Sequence, residues 1–344
     1  MQTYEITVRA RSGFATPLKG DTLFGHICWQ AAYDRNLFNS SIEDLLAEYE
    51  RRPFIVVSSA FPKIYKGDRE FYAFKKPDLP LDMIFDLTSM DKAEIIRQRK
   101  ALKKRRWMIV AKTESIHSIK DLEFLDNEDL FKRAADGLPE ETVREFSFNS
   151  ASFIVDFSQP HNTINRLTGT TGEGMFAPYS TIQEVMFPET ELAIFVGVYD
   201  PVKIDAVEEA FKRIGEFGFG RDASTGLGRF DVCDVSEVDL MKIGASSPNS
   251  CYTISPSVPQ KAAFQQMFFA PFIRFGRHGD RLAKAQNPFK NPVIMADEGA
   301  VFVPNDPSIF KKPYIGTAAK GTSKVLPEAV SQGYALYIPL REEI

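Results

Sequence analysis

The chain has 344 residues, a length that favours about two domains. Its hydrophobic fraction of 44% and charged fraction of 26% are those of an ordinary globular protein. No apolar run approaches the ~20 residues that a membrane helix needs, so we expect no membrane partner. The net charge of −4 argues against a molecule that is basic as a whole.

The cysteines and histidines bear on compartment and metal binding. Cys28, Cys233 and Cys251 are odd in number and far apart, which is typical of reduced thiols and indicates a cytoplasmic protein. The sequence has four histidines, and none forms a pair with ligand spacing. We therefore expect no metal site and no cofactor.

The N-terminal part predicts a strand, a helix and a second strand. Residues 2–10 alternate as a strand, and Asp21 or Thr22 is expected to cap a helix that runs to about Tyr33. After Pro53, the β-branched run FIVVSSAF is typical of a buried strand.

Residues 62–145 are charged and irregular, and we interpret them as an insertion between core strands. They include a basic helix at about 91–112, in which the stretch from Arg97 to Lys112 carries eight positive charges and no negative one. Two interpretations stay open for this stretch. It is a solvated face, or it contacts RNA or an acidic protein surface.

The core pattern resumes after the insertion. A strand is predicted at 148–157, a second one at 191–199, and a helix follows with Ile204, Val207, Phe211 and Ile214 on one face. A glycine-rich loop and the strand GRFDVCDV complete the order strand, helix, strand, strand, helix, strand. This is the ferredoxin-like βαββαβ arrangement.

After a linker at 238–250, further strand candidates predict a second, shorter unit that is a degenerate version of the first. The sequence thus predicts an α+β fold with two ferredoxin-like domains, 1–237 and 250–344. The first is expected to carry the insertion.

The glycine-rich loop GEFGFGRDASTGLGRF, at 215–230, is the strongest candidate site. Glycine permits positive φ and lets a ligand approach main-chain N–H groups, and arginine and hydroxyl side chains suit phosphate oxygens. The loop therefore indicates a phosphate-bearing ligand, with a mobile turn as the alternative.

A dinucleotide site is the remote alternative for this loop. Gly218, Gly220 and Ala223 fit a relaxed dinucleotide fingerprint. That fingerprint needs a strand before it and a helix after it, whereas here the helix comes first. The order argues against an oxidoreductase with a nicotinamide or flavin cofactor.

A glycine-rich loop just before the last strand of a ferredoxin-like domain resembles the RAMP superfamily, the RNA-binding subunits of CRISPR effector complexes. Segments 19–29 (KGDTLFGHICW), 161–176 (HNTINRLTGTTGEGMF), 276–280 (GRHGD) and 290–302 (KNPVIMADEGAVF) extend the resemblance along nearly the full length. Together they resemble the subunit of type III-A (Csm) complexes that holds the 5′ end of the guide RNA. Equivalent subunits of types III-B and III-D share parts of the pattern.

The resemblance implies a non-catalytic subunit of a type III ribonucleoprotein in antiviral defence. Such subunits grip the repeat-derived 5′ handle of the crRNA and bridge the large signalling subunit to the backbone RAMP subunits. The implied partners are the crRNA, the target RNA and those two proteins. The resemblance also implies that the handle is contacted first by the glycine loop, through Gly218, Gly220, Arg221, Ser224, Thr225, Gly226, Gly228 and Arg229.

Other residues extend the expected RNA surface. Arg277 and His278 are expected to face the glycine loop across a cleft, with a plain hairpin turn as the alternative. Arg11 and Lys19 are expected to line the same cleft, although Lys19 also suits a turn before a helix.

The segment at about 161–180 resembles the thumb hairpin that such subunits push across the guide–target duplex. Its expected duplex contacts are Asn162, Asn165, Arg166, Thr168 and Thr170, with Met175 and Phe176 as an apolar tip. Ordinary loop packing is the alternative for the two apolar residues.

A neighbouring branch of the superfamily cleaves repeat RNA without metal, through a histidine near the first helix. His26 lies in that helix here, but the sequence offers no paired general acid and base. The thumb-like segment contains no aspartate, and Glu173 is its only acid. We therefore expect no nuclease activity, with a His26-dependent endoribonuclease as the alternative.

Overall fold

The structure, a computed structural model, describes residues 1–87, 91–136, 138–147, 152–188 and 190–342. The helices are α1 (Gly20–Tyr33), α2 (Ile42–Ala47), α3 (Leu81–Ile84), α4 (Lys92–Lys104), α5 (Asn127–Ala135), α6 (Glu140–Ser147), α7 (Ile204–Phe217) and α8 (Leu240–Ile243). The first nine strands are β1 (Gln2–Ala10), β2 (Ile55–Lys66), β3 (Arg69–Lys75), β4 (Trp107–Ala111), β5 (Glu123–Leu125), β6 (Ile154–His161), β7 (Tyr179–Met186), β8 (Glu191–Val198) and β9 (Phe230–Glu237). The other strands are β10 (Ser250–Thr253), β11 (Phe264–Phe268), β12 (Pro271–Arg274), β13 (Val293–Ala296), β14 (Val301–Pro304), β15 (Tyr314–Gly316) and β16 (Tyr334–Leu340).

The first sheet has seven antiparallel strands in the order β5-β4-β3-β2-β8-β1-β9. Helix α1 leads from β1 towards β2, and α7 leads from β8 to β9. The predicted insertion supplies β3, β4 and β5, which extend this sheet beyond β2. Helices accompany extensive antiparallel sheets, an architecture compatible with the α+β class.

A second sheet of five antiparallel strands, in the order β11-β14-β10-β16-β15, packs against the first. A Cβ on Gly197 of β8 would lie 3.2 Å from Cδ2 of Leu336 in β16. The amide of Gln332 accepts from the N–H of Val57 (2.9 Å) and donates to its carbonyl (2.7 Å). The two sheets therefore share one hydrophobic core, which includes Ile6 and Tyr252.

Strand β1 is buried on both faces. Ile6 and Val8 are fully buried in the hydrophobic core, as the alternation predicts, while Glu5 and Thr7 on the opposite face are buried as well. Glu5 pairs with Lys63 at 2.9 Å and with Lys112 at 3.0 Å, and Tyr72 donates to it at 2.6 Å. A charged cluster thus lies inside the protein on this face of the sheet.

Glu70 completes this cluster, because it pairs with Lys63 at 3.0 Å and with Lys112 at 2.9 Å. Burial alone raises the pKa of Glu5, but the hydrogen bond from Tyr72 and the charge of Lys63 outweigh it and hold that pKa below its usual value. Two anions and two cations alternate around the cluster, and its net charge is zero.

Three details differ from the sequence prediction. The basic helix ends at Lys104, because the apolar run Trp107–Ala111 pairs with β3 as strand β4. Lys19, and neither Asp21 nor Thr22, occupies the N-cap of α1. Residues 148–151 of the predicted strand lie outside the described residues, and β6 begins at Ile154.

The described residues lack both a candidate membrane-spanning helix and a candidate metal-binding cluster. No helix in the described ranges combines the length and the apolar character needed to cross a bilayer. Within the same ranges, histidine, cysteine and carboxylate side chains do not gather in groups of three or more that would suit a metal ion.

Candidate functional site

The glycine loop follows α7, and its backbone is left-handed at every predicted glycine. Gly218 ends the helix with φ +97°, and φ is +76° at Gly220, +101° at Gly226 and +73° at Gly228. Only glycine adopts these values without the crowding that a Cβ brings. The backbone geometry explains why glycines recur here.

Most main-chain N–H groups of the loop donate inside the protein. Gly220 donates to Nε2 of His26 at 3.2 Å, and Gly228 donates to the carbonyl of Gly13 at 2.8 Å. The main-chain N–H of Arg221 donates to the hydroxyl of Thr16 at 3.0 Å, and that of Arg229 donates to the hydroxyl of Ser12 at 2.9 Å. The expectation that a phosphate approaches the main-chain N–H groups of the loop is therefore wrong for these groups, because they close the loop onto α1 and the connection between β1 and α1.

The four glycines differ in what surrounds them. A Cβ would lie 2.5 Å from the Leu227 oxygen at Gly218, 2.5 Å from Cβ of Thr16 at Gly220, and 2.1 Å from the Phe219 oxygen at Gly228. A Cβ at Gly226 would meet no atom within 4 Å. Gly218, Gly220 and Gly228 therefore allow close packing, whereas Gly226 faces open space.

Exposed side chains remain available on the outer surface of this loop. Ser224, Thr225 and Arg229 are exposed, as is Arg221, which donates to the Ile182 carbonyl of β7 at 3.1 Å. Arg11 lies beside them, because its N–H donates to the Arg229 carbonyl at 2.8 Å. The structure thus gathers the predicted Arg11, Arg221 and Arg229 around one rigid loop.

Two of these arginines have acidic neighbours. Arg11 pairs with Asp231 at 3.1 Å, and Arg221 pairs with Asp222 at 3.3 Å. The Arg11–Asp231 pair is exposed, where water and salt screen an ion pair and its net contribution is ~0–1 kcal/mol, whereas Asp222 is half-buried. A polyanion therefore competes with Asp231 for Arg11 at low cost.

His26 supports the loop from α1. Its ring packs 4.7 Å from the ring of Phe219, and its Nε2 accepts the Gly220 N–H. Burial lowers the pKa of His26 to about 4. The imidazole is therefore neutral at pH 7 with this nitrogen engaged, which suits a positioning role and not proton transfer.

In the loop at 276–280, the two predicted residues Arg277 and His278 have different environments. Arg277 is exposed, lies 5.7 Å above the Phe289 ring and donates to the Ala283 carbonyl at 3.2 Å. His278 is buried, and its Nε2 is 2.7 Å from the hydroxyl of Ser323. The structure therefore places Arg277 at the surface and contradicts the expectation that His278 faces RNA, because its ring packs inward.

This second loop lies against the same helix as the glycine loop. A Cβ on Gly279 would lie 3.6 Å from Nε1 of Trp29, and Trp29 follows His26 by one turn of α1. Helix α1 therefore has the glycine loop and the 276–280 loop as neighbours along its surface.

Lys19 is committed to internal ion pairs. Its ammonium contacts Asp297, and it lies 3.1 Å from Oε1 of Glu298, with 19% of the side chain exposed. The neighbouring Asp21 binds Arg274 through two bonds of 2.6 and 2.9 Å. Both residues tie α1 to the second half of the chain. Asp297 and Glu298 engage the Lys19 ammonium, so Lys19 does not line an RNA cleft, contrary to the expectation.

These ion pairs predict a pH dependence of stability that centres on Glu298. Burial raises the pKa of Glu298 from 4.5 to about 7, so the folded protein keeps a proton that the unfolded chain loses above pH 4.5. The contribution of this group is complete below pH 4.5 and is lost as the pH rises through 7. We expect Glu298→Gln to remove this loss, on the order of 2 kcal/mol.

The measurement is the free energy of unfolding of both proteins at about pH 5 and about pH 8. His26 acts in the opposite direction, because its pKa is lowered from 6.5 to about 4 and its contribution grows as the pH rises between those values. The difference between the two proteins isolates Glu298. An equal difference at both pH values would contradict the prediction.

The predicted thumb is a two-stranded sheet, in which β6 pairs with β7 from Ile154↔Met186 to His161↔Tyr179. The bridge Phe14↔Glu184 joins its base to the first half of the chain. Asn162, Arg166, Thr168 and Thr170 are exposed at its far end, whereas Asn165 is half-buried and accepts the Leu167 N–H at 2.9 Å. The predicted polar contacts are thus mostly accessible.

The apolar side chains of the hairpin differ from the expected tip. Phe176 is half-buried, and the Met175 side chain lies outside the described residues. Leu167 is instead 96% exposed and Ile164 59% exposed. Sequence reasoning missed both, although the run INRL carries the signal of two apolar residues within a polar segment.

No protein-family model and no curated protein matches the sequence. Several solved structures resemble the fold. Three of them are the Csm1-Csm4 cassette with pppApA (17% identity, TM-score 0.51, 99% of this chain and 98% of that chain), the same cassette with cA3 (17%, 0.52, 100% and 99%), and the Csm3-Csm4 subcomplex of a type III-A CRISPR-Cas interference complex (14%, 0.53, 98% and 99%).

Csm4 is the component common to these assemblies. The likeness confirms, at the level of fold and over nearly the whole chain, the resemblance to type III-A subunits that the sequence indicated.

Proposed function

We propose that the protein is a non-catalytic, Csm4-like subunit of a type III CRISPR effector complex and that it grips the 5′ handle of the crRNA. The observation that carries the proposal is the rigid glycine loop with Arg11, Arg221 and Arg229 around it. Its fold, shared at full length with the chains in Csm1-Csm4 and Csm3-Csm4 structures, supplies the context.

The loop binds RNA mainly through side chains. His26, Thr16 and Gly13 hold its backbone in one conformation, so the guanidinium groups lose little freedom when they meet phosphates. Charge-assisted bonds from arginine to phosphate are strong and are released by salt. Arg277, on the neighbouring loop, extends this surface along α1.

The proposal includes a division of the chain into two ferredoxin-like domains. We interpret the strands β9-β1-β8-β2, with α1 and α7, as the ferredoxin-like domain at 1–237, and their order supports this interpretation. We interpret 250–344 as a degenerate second copy, in which seven strands form one sheet of five and one of two, and the described residues contain no α-helix.

The proposed partners are the crRNA, the target RNA, a large Csm1-like subunit and a Csm3-like backbone subunit. The test is to express the chain with the proteins encoded beside it, purify the complex and sequence its RNA. We expect RNAs that share one repeat-derived 5′ end, and no cutting of repeat RNA by the purified chain in chelator. An RNA-free complex, or cleavage that depends on His26, would overturn the proposal.

The hairpin predicts a division of labour between guide and target. Arg166 is exposed at the far end of the hairpin, away from the glycine loop. We expect Arg166→Ala to leave guide retention nearly unchanged and to weaken target RNA binding several-fold, as the loss of about one phosphate contact implies. Guide content and target affinity of the purified complex measure the two effects, and equal losses of both would refute the division.

A further inference from the structure

Helix α4 presents a basic surface that the glycine loop does not use. The helix is ~20 Å long, since each residue adds ~1.5 Å, and Leu102 is its buried residue. Ile95 and Gln98 are half-buried on the side of Leu102. The rest of the helix surface exposes six cations, Lys92, Arg97, Arg99, Lys100, Lys103 and Lys104.

The positive charge of α4 is not balanced locally. Its cap Asp91 accepts the N–H of Glu94 at 2.7 Å, and Glu94 pairs with Arg97 at 3.6 Å. Within the described ranges, no carboxylate forms an ion pair with Arg99, Lys100, Lys103 or Lys104. The exposed side of the helix therefore keeps a strong positive potential.

Strand β4, which follows α4, is tied to the base of the hairpin. Nε1 of Trp107 donates to Oδ1 of Asn127 at 2.7 Å, and the N–H of Phe153, just before β6, donates to the Asn127 carbonyl at 3.1 Å. The N–H of Phe14 donates to the Glu184 carbonyl at 2.9 Å, and the preceding Gly13 accepts the Gly228 N–H. The start of β4, the hairpin base and the glycine loop are thus consecutive neighbours.

We infer that the exposed side of α4 binds the phosphate backbone of an RNA strand that continues past the hairpin base beyond the glycine loop, an inference that rests on the proposed function. The side chains suit phosphates, because lysine predominates and no aromatic ring is present to stack on bases. Protein interfaces are depleted in lysine, which disfavours an acidic protein as the occupant. Backbone contacts of this kind carry no sequence preference.

The test compares the full-length chain with the triple variant Lys100→Gln, Lys103→Gln and Lys104→Gln. Glutamine has nearly the helix propensity of lysine, so α4 is retained. The probes are two oligouridylates, one of about 10 nucleotides, the size of a single-domain site, and one of about 40. Affinity is measured against salt, and circular dichroism checks the fold.

We expect the short RNA to bind the variant like the wild type. The long RNA should bind about 10- to 100-fold more weakly at about 0.1 M salt, with a salt slope shallower by roughly 2 units, since each lost phosphate contact removes ~0.7. The matched control replaces the exposed Lys66, Lys261 and Lys311 by glutamine, which removes the same charge elsewhere and should change neither affinity.

Three outcomes would overturn the inference. The first is an unchanged affinity of the triple variant for the long RNA, while Arg221→Ala with Arg229→Ala still weakens the short one. This leaves the proposed function intact. The second is that neither RNA depends on the loop arginines or on α4, which removes the proposed function as well.

The third outcome concerns a protein partner. Ile96 is 72% exposed amid the basic side chains, and an RNA backbone does not need it. Suppose that Ile96→Ala weakens capture of a co-expressed large subunit, while neither Ile96→Ala nor the triple lysine variant of α4 changes RNA affinity. The occupant of α4 is then that protein, and the inference fails.

Discussion

Glu5→Gln is expected to lower the free energy of unfolding by about 3–5 kcal/mol, the cost of removing one partner from a buried ion pair. Glu5 is fully buried, and the side chain of Lys63 is 4% exposed. Without the Glu5 carboxylate, Lys63 and Lys112 share Glu70 alone, and the cluster carries an uncompensated positive charge inside the protein. Burial of such a charge is what makes the loss large.

Urea unfolding of both proteins measures this effect. The control is Glu237→Gln on β9, which makes the same chemical change at an exposed position and should alter stability by less than about 0.5 kcal/mol. A double variant, Glu5→Gln with Lys63→Gln, should lose less than the sum of its single changes, because the pair is removed together. Equal stability of Glu5→Gln and Glu237→Gln would mean that water screens the cluster.

Arg221→Ala combined with Arg229→Ala is expected to weaken short-RNA binding about 10-fold or more at about 0.1 M salt. Each guanidinium supplies about one phosphate contact on the exposed side of the loop, and the salt slope should fall by roughly 1–2 units. Unfolding stability should change little, since both side chains are exposed. Binding that keeps the wild-type salt slope would place the RNA elsewhere.

Two glycines of the same loop provide a matched pair. At Gly228 a Cβ would lie 2.1 Å from the Phe219 oxygen, so Gly228→Ala must open the loop and is expected to reduce RNA affinity at least as much as the loss of both arginines. In Gly226→Ala the added Cβ would meet no atom within 4 Å, and we expect this substitution to cost only ~1 kcal/mol of backbone strain. Thermal melting and RNA affinity separate the two. Equal effects would contradict the packing described for the loop.

Much of the fold was predictable because its signals are local. The period of Val207, Phe211 and Ile214 predicted the buried face of α7, and all three are buried. Recurring glycines predicted positive φ at Gly218, Gly220, Gly226 and Gly228. Chain order alone placed this loop between the last helix and the last strand of the first sheet. Local backbone chemistry and amphipathic periods need no knowledge of distant partners.

The sequence by itself therefore determined the α+β class, the place of the glycine loop and the location of its arginines. Only the tertiary structure decided which polar groups remain free. Lys19 meets Asp297, Asp21 meets Arg274, and the second face of β1 is buried with its charges, through partners that lie far away in the chain. A side chain loses or keeps its availability according to the surface that folds onto it, and no local pattern encodes that surface.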